Sequence, residues 1–176
     1  LYKIFVSLVT AALLGAAVFA QEGSLPYQLG AGDEIRVTVF GEEDLSGEFE
    51  IDGTGRISLP LIGSVDIGGH NIADAEARIV LMLADGYLIT PRVNIEVMNY
   101  RPFYIIGEVN SPGSYPYVSG MTILNAVALG SGYTHRANKK KIEITRRQDG
   151  EEVKFFTQST ALVQPGDIIR ITERFF

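Results

Sequence analysis

The chain has no cysteine and no tryptophan, and only two histidines among its 176 residues. Without cysteine there is no disulfide framework, no thiolate metal site, no cysteine nucleophile and no thiol to carry a lipid. The histidines, His70 and His135, stand far apart among small and polar residues, with no metal-ligand spacing between them. No serine-nucleophile elbow, phosphate-binding loop or zinc-protease pattern occurs. Gly30-Ala31-Gly32 imitates the start of a dinucleotide fingerprint, but it precedes a strand instead of following one. An excess of positive charge is missing too. Acids outnumber bases 21 to 15, a net −6, which argues against a general affinity for nucleic acid. Enzyme signals are therefore poor, and no cofactor or metal is expected.

What is present suits a packed fold. Hydrophobic residues make up 46% and aromatics 10%, enough for a core and too much for a disordered chain. The apolar residues are unevenly spread. Ile4 to Ala20 carries no charge, follows Lys3 and ends on small residues, a pattern that predicts a secretory signal cut after Ala20. The alternative is a retained membrane anchor, at the short limit of the roughly 17–25 residues needed to span a bilayer.

Downstream, Glu34 to Phe40 alternates polar and apolar residues and predicts a half-buried strand entered through Gly32-Asp33. Phe49–Ile51 and Ile57–Leu61 are expected to form a hairpin around Asp52-Gly53-Thr54-Gly55. Asn71 is placed to cap a helix from Ile72 to about Asp85, and Val93–Met98 alternates as a strand. Tyr100-Arg101-Pro102 is the candidate boundary. Beyond it come a strand at Phe103–Ile106, a turn region at Glu108–Gly113 and a brief strand at Tyr115–Val118. A short helix capped by Thr122, a hairpin around Asp149-Gly150 and a last strand at Ile168–Thr172 complete the pattern. These elements predict an α+β protein of two small domains, residues 21–100 and 101–176, behind the signal at 1–20.

Two patterns cut across this order. Gly32-Asp33-Glu34-Ile35-Arg36-Val37-Thr38 is echoed by Gly166-Asp167-Ile168-Ile169-Arg170-Ile171-Thr172. Seven residues are too few to indicate duplicated domains; the echo is read as two strands that need the same entry turn, with the Asp side chain bonding nearby backbone N–H groups. Charge also divides at the boundary. Residues 21–100 carry 14 acids against 4 arginines, and residues 101–176 carry 7 acids against 10 bases. Much of the positive charge lies in Arg136, Lys139, Lys140, Lys141, Arg146 and Arg147, a candidate interaction patch for an anionic partner whose bland alternative is a solvated hairpin. Base-stacking aromatics are not interleaved with it, which disfavours nucleic acid. The acidic stretch of Glu42, Glu43, Asp44, Glu48, Glu50 and Asp52 lacks calcium-loop spacing and is read as a solvated loop.

The ordered blocks carry a resemblance. Tyr27–Phe40 (YQLGAGDEIRVTVF), Asp44–Ser46, Ile51–Val65 (IDGTGRISLPLIGSV) and Thr90–Val97 (TPRVNIEV) resemble the polysaccharide export domain of outer-membrane polysaccharide export proteins. Phe103–Thr134 (FYIIGEVNSPGSYPYVSGMTILNAVALGSGYT) resembles the soluble-ligand-binding β-grasp (SLBB) domain that follows it in that family. Departures are the missing lipid-bearing cysteine, Leu129-Gly130-Ser131-Gly132 where Ala-Gly-Gly is usual, and a sequence that stops straight after a strand instead of continuing into a membrane helix.

The resemblance implies a periplasmic accessory of capsule or exopolysaccharide export that makes and breaks no bond. It implies a homo-oligomeric ring, an inner-membrane co-polymerase as neighbour, and polysaccharide as cargo. With neither lipid nor helix, a separate outer-membrane β-barrel is expected to supply the pore. The unlike charges of the two halves suggest complementary faces for head-to-tail assembly. The domain's name points to a glycan contact near Glu108, Tyr115 and Tyr117, while the residues themselves favour plain packing. Gly32, Asp33, Asp52, Gly53, Gly107, Pro112, Gly113, Gly166 and Asp167 are read as structural turn residues. The rival readings are a stand-alone periplasmic glycan-binding module and a glycan hydrolase or lyase using Asp44 or Asp52.

Overall fold

A computed structural model describes residues 27–148 and 150–174. The expected signal or anchor at 1–20, the lead that follows it and Asp149 of the hairpin turn lie outside the described residues. Among those described, no helix is long and apolar enough to cross a membrane.

The first half builds a three-stranded antiparallel sheet in the order β2-β1-β5, with a separate two-stranded hairpin β3-β4 and one helix, α1. β1 (Glu34–Val39) is central, and Ile35, Val37 and Val39 all point inward, as their alternation requires. β2 (Gly47–Glu50) and β5 (Val93–Asn99) flank it. A 3-10 turn at Glu43–Leu45 drops Leu45 into the core. α1 (Ile72–Ala84) starts on Asn71, whose side chain accepts the Asp74 N–H at 2.9 Å. It buries Ala75, Ile79 and Leu83, spaced four apart along one face. The Glu76 carboxylate accepts the N–H of Ile95 at 2.8 Å and ties the helix to β5.

One expectation fails here. Phe49–Ile51 and Ile57–Leu61 do not pair. β2 pairs with β1, whereas β3 (Arg56–Leu59) pairs with β4 (Gly63–Asp66), a short strand with no alternating pattern to announce it. The turn between them is tight, closed by Asp52 N–H to Arg56 C=O at 2.9 Å. It passes the chain from one sheet to the other. A glycine turn signals a reversal of direction; it carries no information on which strand becomes the partner.

The second half is a five-stranded mixed sheet in the order β7-β6-β10-β8-β9, covered by α2. β6 (Phe103–Gly107) and β10 (Ile168–Glu173) run parallel, and the other neighbours are antiparallel. α2 (Ile123–Leu129) opens on a reciprocal cap between Thr122 and Asn125 and buries Ile123, Ala126 and Val127. β7 (Gly113–Tyr115) is shorter and earlier than the expected Tyr115–Val118, because Pro116 has no N–H to offer the ladder. β8 (Ala137–Gln148) is longer than expected, since pairing with both β10 and β9 (Glu151–Thr157) draws the whole lysine run into the strand.

Two cores result, one drawing on Leu29 to Ile95 and the other on Phe103 to Ile171, with no residue in common. The short segment between them, Tyr100-Arg101-Pro102, is where the two halves meet.

Candidate functional site

Two fully buried carboxylates, Asp33 and Asp167, are the only buried charged groups among the described residues. Each follows a glycine at positive φ, Gly32 at 86° and Gly166 at 82°. Each turn closes on a backbone bond of 3.1 Å from the Asp N–H to the C=O three residues back. Each carboxylate also accepts the N–H at that same position, Gly30 at 2.8 Å and Gln164 at 2.7 Å. The sequence echo is thus one turn built twice, in two different sheets.

A buried carboxylate needs a cation and several donors, and the two Asp residues find them differently. Asp167 is held inside its own sheet by Arg146 of β8, whose Nε and Nη2 reach the two oxygens at 2.8 and 2.7 Å. Asp33 takes its arginine from the inter-domain segment. Arg101 gives its backbone N–H to Oδ1 and its Nη1 to Oδ2, both at 2.9 Å. Nη1 also reaches the Tyr27 hydroxyl at 2.9 Å, and that hydroxyl donates to Asp33. Burial, and then the bond to Asp33, push the Tyr27 phenol far above its ordinary pKa.

The Arg101 guanidinium lies between two glycines of different domains. A Cβ on Gly30 would come within 2.5 Å of Nη1, and one on Gly166 within 2.8 Å of Nε. The aromatic residues continue this joint. Tyr100 meets Tyr27 edge to face at 5.0 Å and Tyr117 at 5.2 Å, linking the first domain's entry to the second domain.

Beside the joint opens a cleft of about 560 Å³. One wall is made of first-domain turns around Gly30, Gly53 with Thr54, and Gly68 with Gly69; the facing wall comes from β8, β9 and Gly166. Glycines dominate the first wall where the turns at Gly55 and Gly68 approach each other at van der Waals limits. A Cβ on Gly68 would sit 2.7 Å from the Gly55 Cα, while the Gly55 carbonyl accepts the N–H groups of both Ile67 and Gly68. Arg101 lines the cleft from the joint, and Arg147 and Glu152 line it from the second domain.

The residues singled out in the sequence do not gather in one place. Of the basic set, Arg136 pairs with Glu173 and Arg146 with the buried Asp167. Lys139 Nζ lies over the Tyr133 ring at 5.5 Å and Lys141 Nζ over Phe156 at 4.0 Å. Lys140 is exposed, and Arg147 lines the cleft. Glu108 accepts the Thr134 hydroxyl, Tyr115 donates to the Ser111 carbonyl at 2.6 Å, and Tyr117 joins the aromatic contact at the joint.

Among the turn residues, Gly107 has φ 87° and packs directly on the Ile171 carbonyl; Pro112 and Gly113 lie exposed where β7 begins. Asp52 accepts the Thr54 N–H and hydroxyl and the Arg56 N–H. Those bonds, the hydroxyl's first, lower its pKa and fix its carboxylate in the turn. Among the described residues no cluster of three or more potential ligands could hold a metal ion. Neither Arg101 nor Thr54 belongs to a sequence motif that marks a site. Only the position of Arg101 at the boundary, next to the echoed Asp turns, signals its part.

Comparison with known proteins follows the same division. The family model described as polysaccharide biosynthesis/export protein matches residues 21–98, and the SLBB domain model matches residues 102–156. The exopolysaccharide production protein ExoF of Rhizobium meliloti (strain 1021) is 32% identical over 152 residues, which is 77% of this chain and 36% of ExoF. Two polysialic acid transport proteins KpsD of Escherichia coli are 29% and 28% identical over 108 residues, 60% of this chain and 19% of each KpsD. The chain therefore spans about a third or less of the length of these curated relatives.

Proposed function

We propose that the chain, in which residues 21–98 belong to the polysaccharide biosynthesis/export family and residues 102–156 to the SLBB domain family, is a non-catalytic periplasmic component of polysaccharide export. In this reading copies of the chain assemble with one another and give a polymer delivered from the inner membrane a path to the outer membrane. The observation that carries it is the order of the two domains together with the relatives' roles, one in exopolysaccharide production and the others in polysialic acid transport. An inner-membrane co-polymerase and a separate outer-membrane barrel are the partners this role calls for.

The geometry is consistent with such a role. The described residues with strong electrostatic ties use them on the fold or the joint, and the joint holds two domains in one arrangement, as a building block of an assembly needs. A head-to-tail assembly must also present unlike faces, and the acidic first half and basic second half offer them.

The test is deletion and complementation. Loss of surface polysaccharide on deletion, restored by the wild-type chain, is the expected result; undiminished polysaccharide on deletion would overturn the reading. Light scattering on the purified protein separates it from its rival, since a stand-alone glycan-binding module would be monomeric. N-terminal sequencing of the exported form, expected to begin at Gln21, tests the signal.

A further inference from the structure

We propose that the inter-domain cleft is a binding site for a carboxylate-bearing saccharide segment. The source of that segment, the exported polymer, rests on the export reading; the ligand chemistry rests on the cleft. Its volume, about 560 Å³, falls within the roughly 300–1,000 Å³ of small-ligand pockets, and such pockets favour domain junctions.

The two walls differ in what they can recognise. The first-domain wall is main chain and small side chains, Gly30, Gly53 and Thr54 among them. With glycines at its turns it leaves main-chain N–H and C=O groups within reach of a hydroxyl-rich ring, beside the side chains of Gln28, Ala31 and Thr54. The joint and the second-domain wall each bring a guanidinium group, Arg101 and Arg147. Arg101 spends its Nη1 and backbone N–H on Asp33 and Tyr27, and among the described residues its Nη2 makes no hydrogen bond. Arg147 has no ion pair there, although Glu152 stands opposite it across the β8–β9 ladder. Neighbouring Arg146, by contrast, commits its Nε and Nη2 to Asp167 and does not line the cleft. Guanidinium N–H groups left over in a partly enclosed cleft match a carboxylate better than any other sugar substituent short of phosphate or sulfate. Glu152 on the rim can accept from ring hydroxyls.

Two substitutions reach the cleft without disturbing the fold. Gly53 has ordinary φ and open space where a Cβ would be, and Arg147 is exposed. Gly53→Asp and Arg147→Glu therefore place negative charge on opposite walls of a folded protein, and circular dichroism checks that it stays folded.

Trigalacturonate is titrated into the purified protein by calorimetry, with maltotriose as the neutral control and galacturonate as the single sugar. Saturable binding of trigalacturonate is expected, with maltotriose and both variants weaker by about tenfold or more, the loss of one charge-assisted hydrogen bond. Raised salt should weaken binding further. Absence of trigalacturonate binding, equal binding of maltotriose, or unchanged affinity in both variants overturns the proposal. Galacturonate binding as tightly as the trimer overturns the polymer-segment assignment. The outcome is separable from the export reading. Binding with no export defect on deletion would sink that reading alone, and an export defect without binding would sink only this site.

Discussion

Asp33 and Asp167 are geometric equivalents in unrelated sheets, but Asp167 is paired to an arginine of its own domain and Asp33 to the arginine that joins the domains. One carboxylate closes a fold and the other closes a joint. That difference predicts different failures. Asp167→Ala leaves Arg146, whose side chain is only 14% exposed, without its counter-charge, and should cost the second domain about 3–5 kcal/mol. Arg101→Ala leaves Asp33 with backbone and Tyr27 donors, so a smaller loss of about 1.5–3 kcal/mol is expected. Its distinctive mark should be calorimetric: one unfolding transition in the wild type resolving into two. Urea denaturation and scanning calorimetry give both numbers.

Tyr27 gives the protein an alkaline limit. Burial, followed by the bond to Asp33, raises its folded-state pKa above the ordinary value of 10.0. The unfolded chain therefore loses this proton first as pH rises. The folded state binds more protons there, so stability is intact below about pH 10 and falls with pH above it. Absorbance at the phenolate band should show one tyrosine that ionises only with unfolding. Tyr27→Phe should abolish that late step and flatten the alkaline slope of stability.

Close backbone approaches make two glycines irreplaceable while leaving others free. Gly68→Ala drives a Cβ into the Gly55 backbone, and Gly107→Ala drives one to 2.2 Å from the Ile171 carbonyl in a strand-end residue with φ 87°. Each should destabilise its domain by about 1–3 kcal/mol. Gly53→Ala meets nothing within 4 Å and Gly113→Ala only the Tyr115 ring edge at 3.9 Å; both should change stability by less than about 0.5 kcal/mol. Chemical denaturation of the four variants checks the contrast.

Charge reversal tests the proposed assembly. Lys139→Glu, Lys140→Glu and Lys141→Glu together should shift the protein to smaller species at low salt, with less effect at high salt. Sedimentation velocity measures it, and an unchanged profile would remove these lysines from the interface. Loss of the stacking of Lys139 on Tyr133 and of Lys141 on Phe156 should cost little, since both lysines are exposed.

Local periodicity carried much of the fold. Ile35, Val37 and Val39 alternate because one face of β1 is buried, and Asn71 and Thr122 announce their helices by side-chain chemistry that works within three residues. Pairing was less legible. The chain from Phe49 to Leu61 has every mark of a hairpin, and its partners are instead β1 and β4. Such choices are made by distant strands, and nothing local records them. The site was legible in fragments. The Gly-Asp echo identified both carboxylate turns, but not that one would recruit Arg101 from 68 residues away. Contiguity in the basic run does not carry into space: Arg136 and Arg146 go to separate ion pairs, Lys139 and Lys141 to aromatic rings, and Arg147 to a cleft wall.

The position of β10 has a consequence for the order in which the molecule can form. It lies in the middle of its sheet, between β6 and β8, and is the last strand of the described chain. A nascent polypeptide that has delivered everything before Ile168 holds two half-sheets, β7-β6 and β8-β9, each with an inner edge awaiting the same strand. Unpaired edges of that kind recruit other chains. The first domain is complete by Asn99 and can fold early. The second must wait for its final strand, so truncation before β10 would yield a species prone to aggregate, with one domain folded and the other open down its centre.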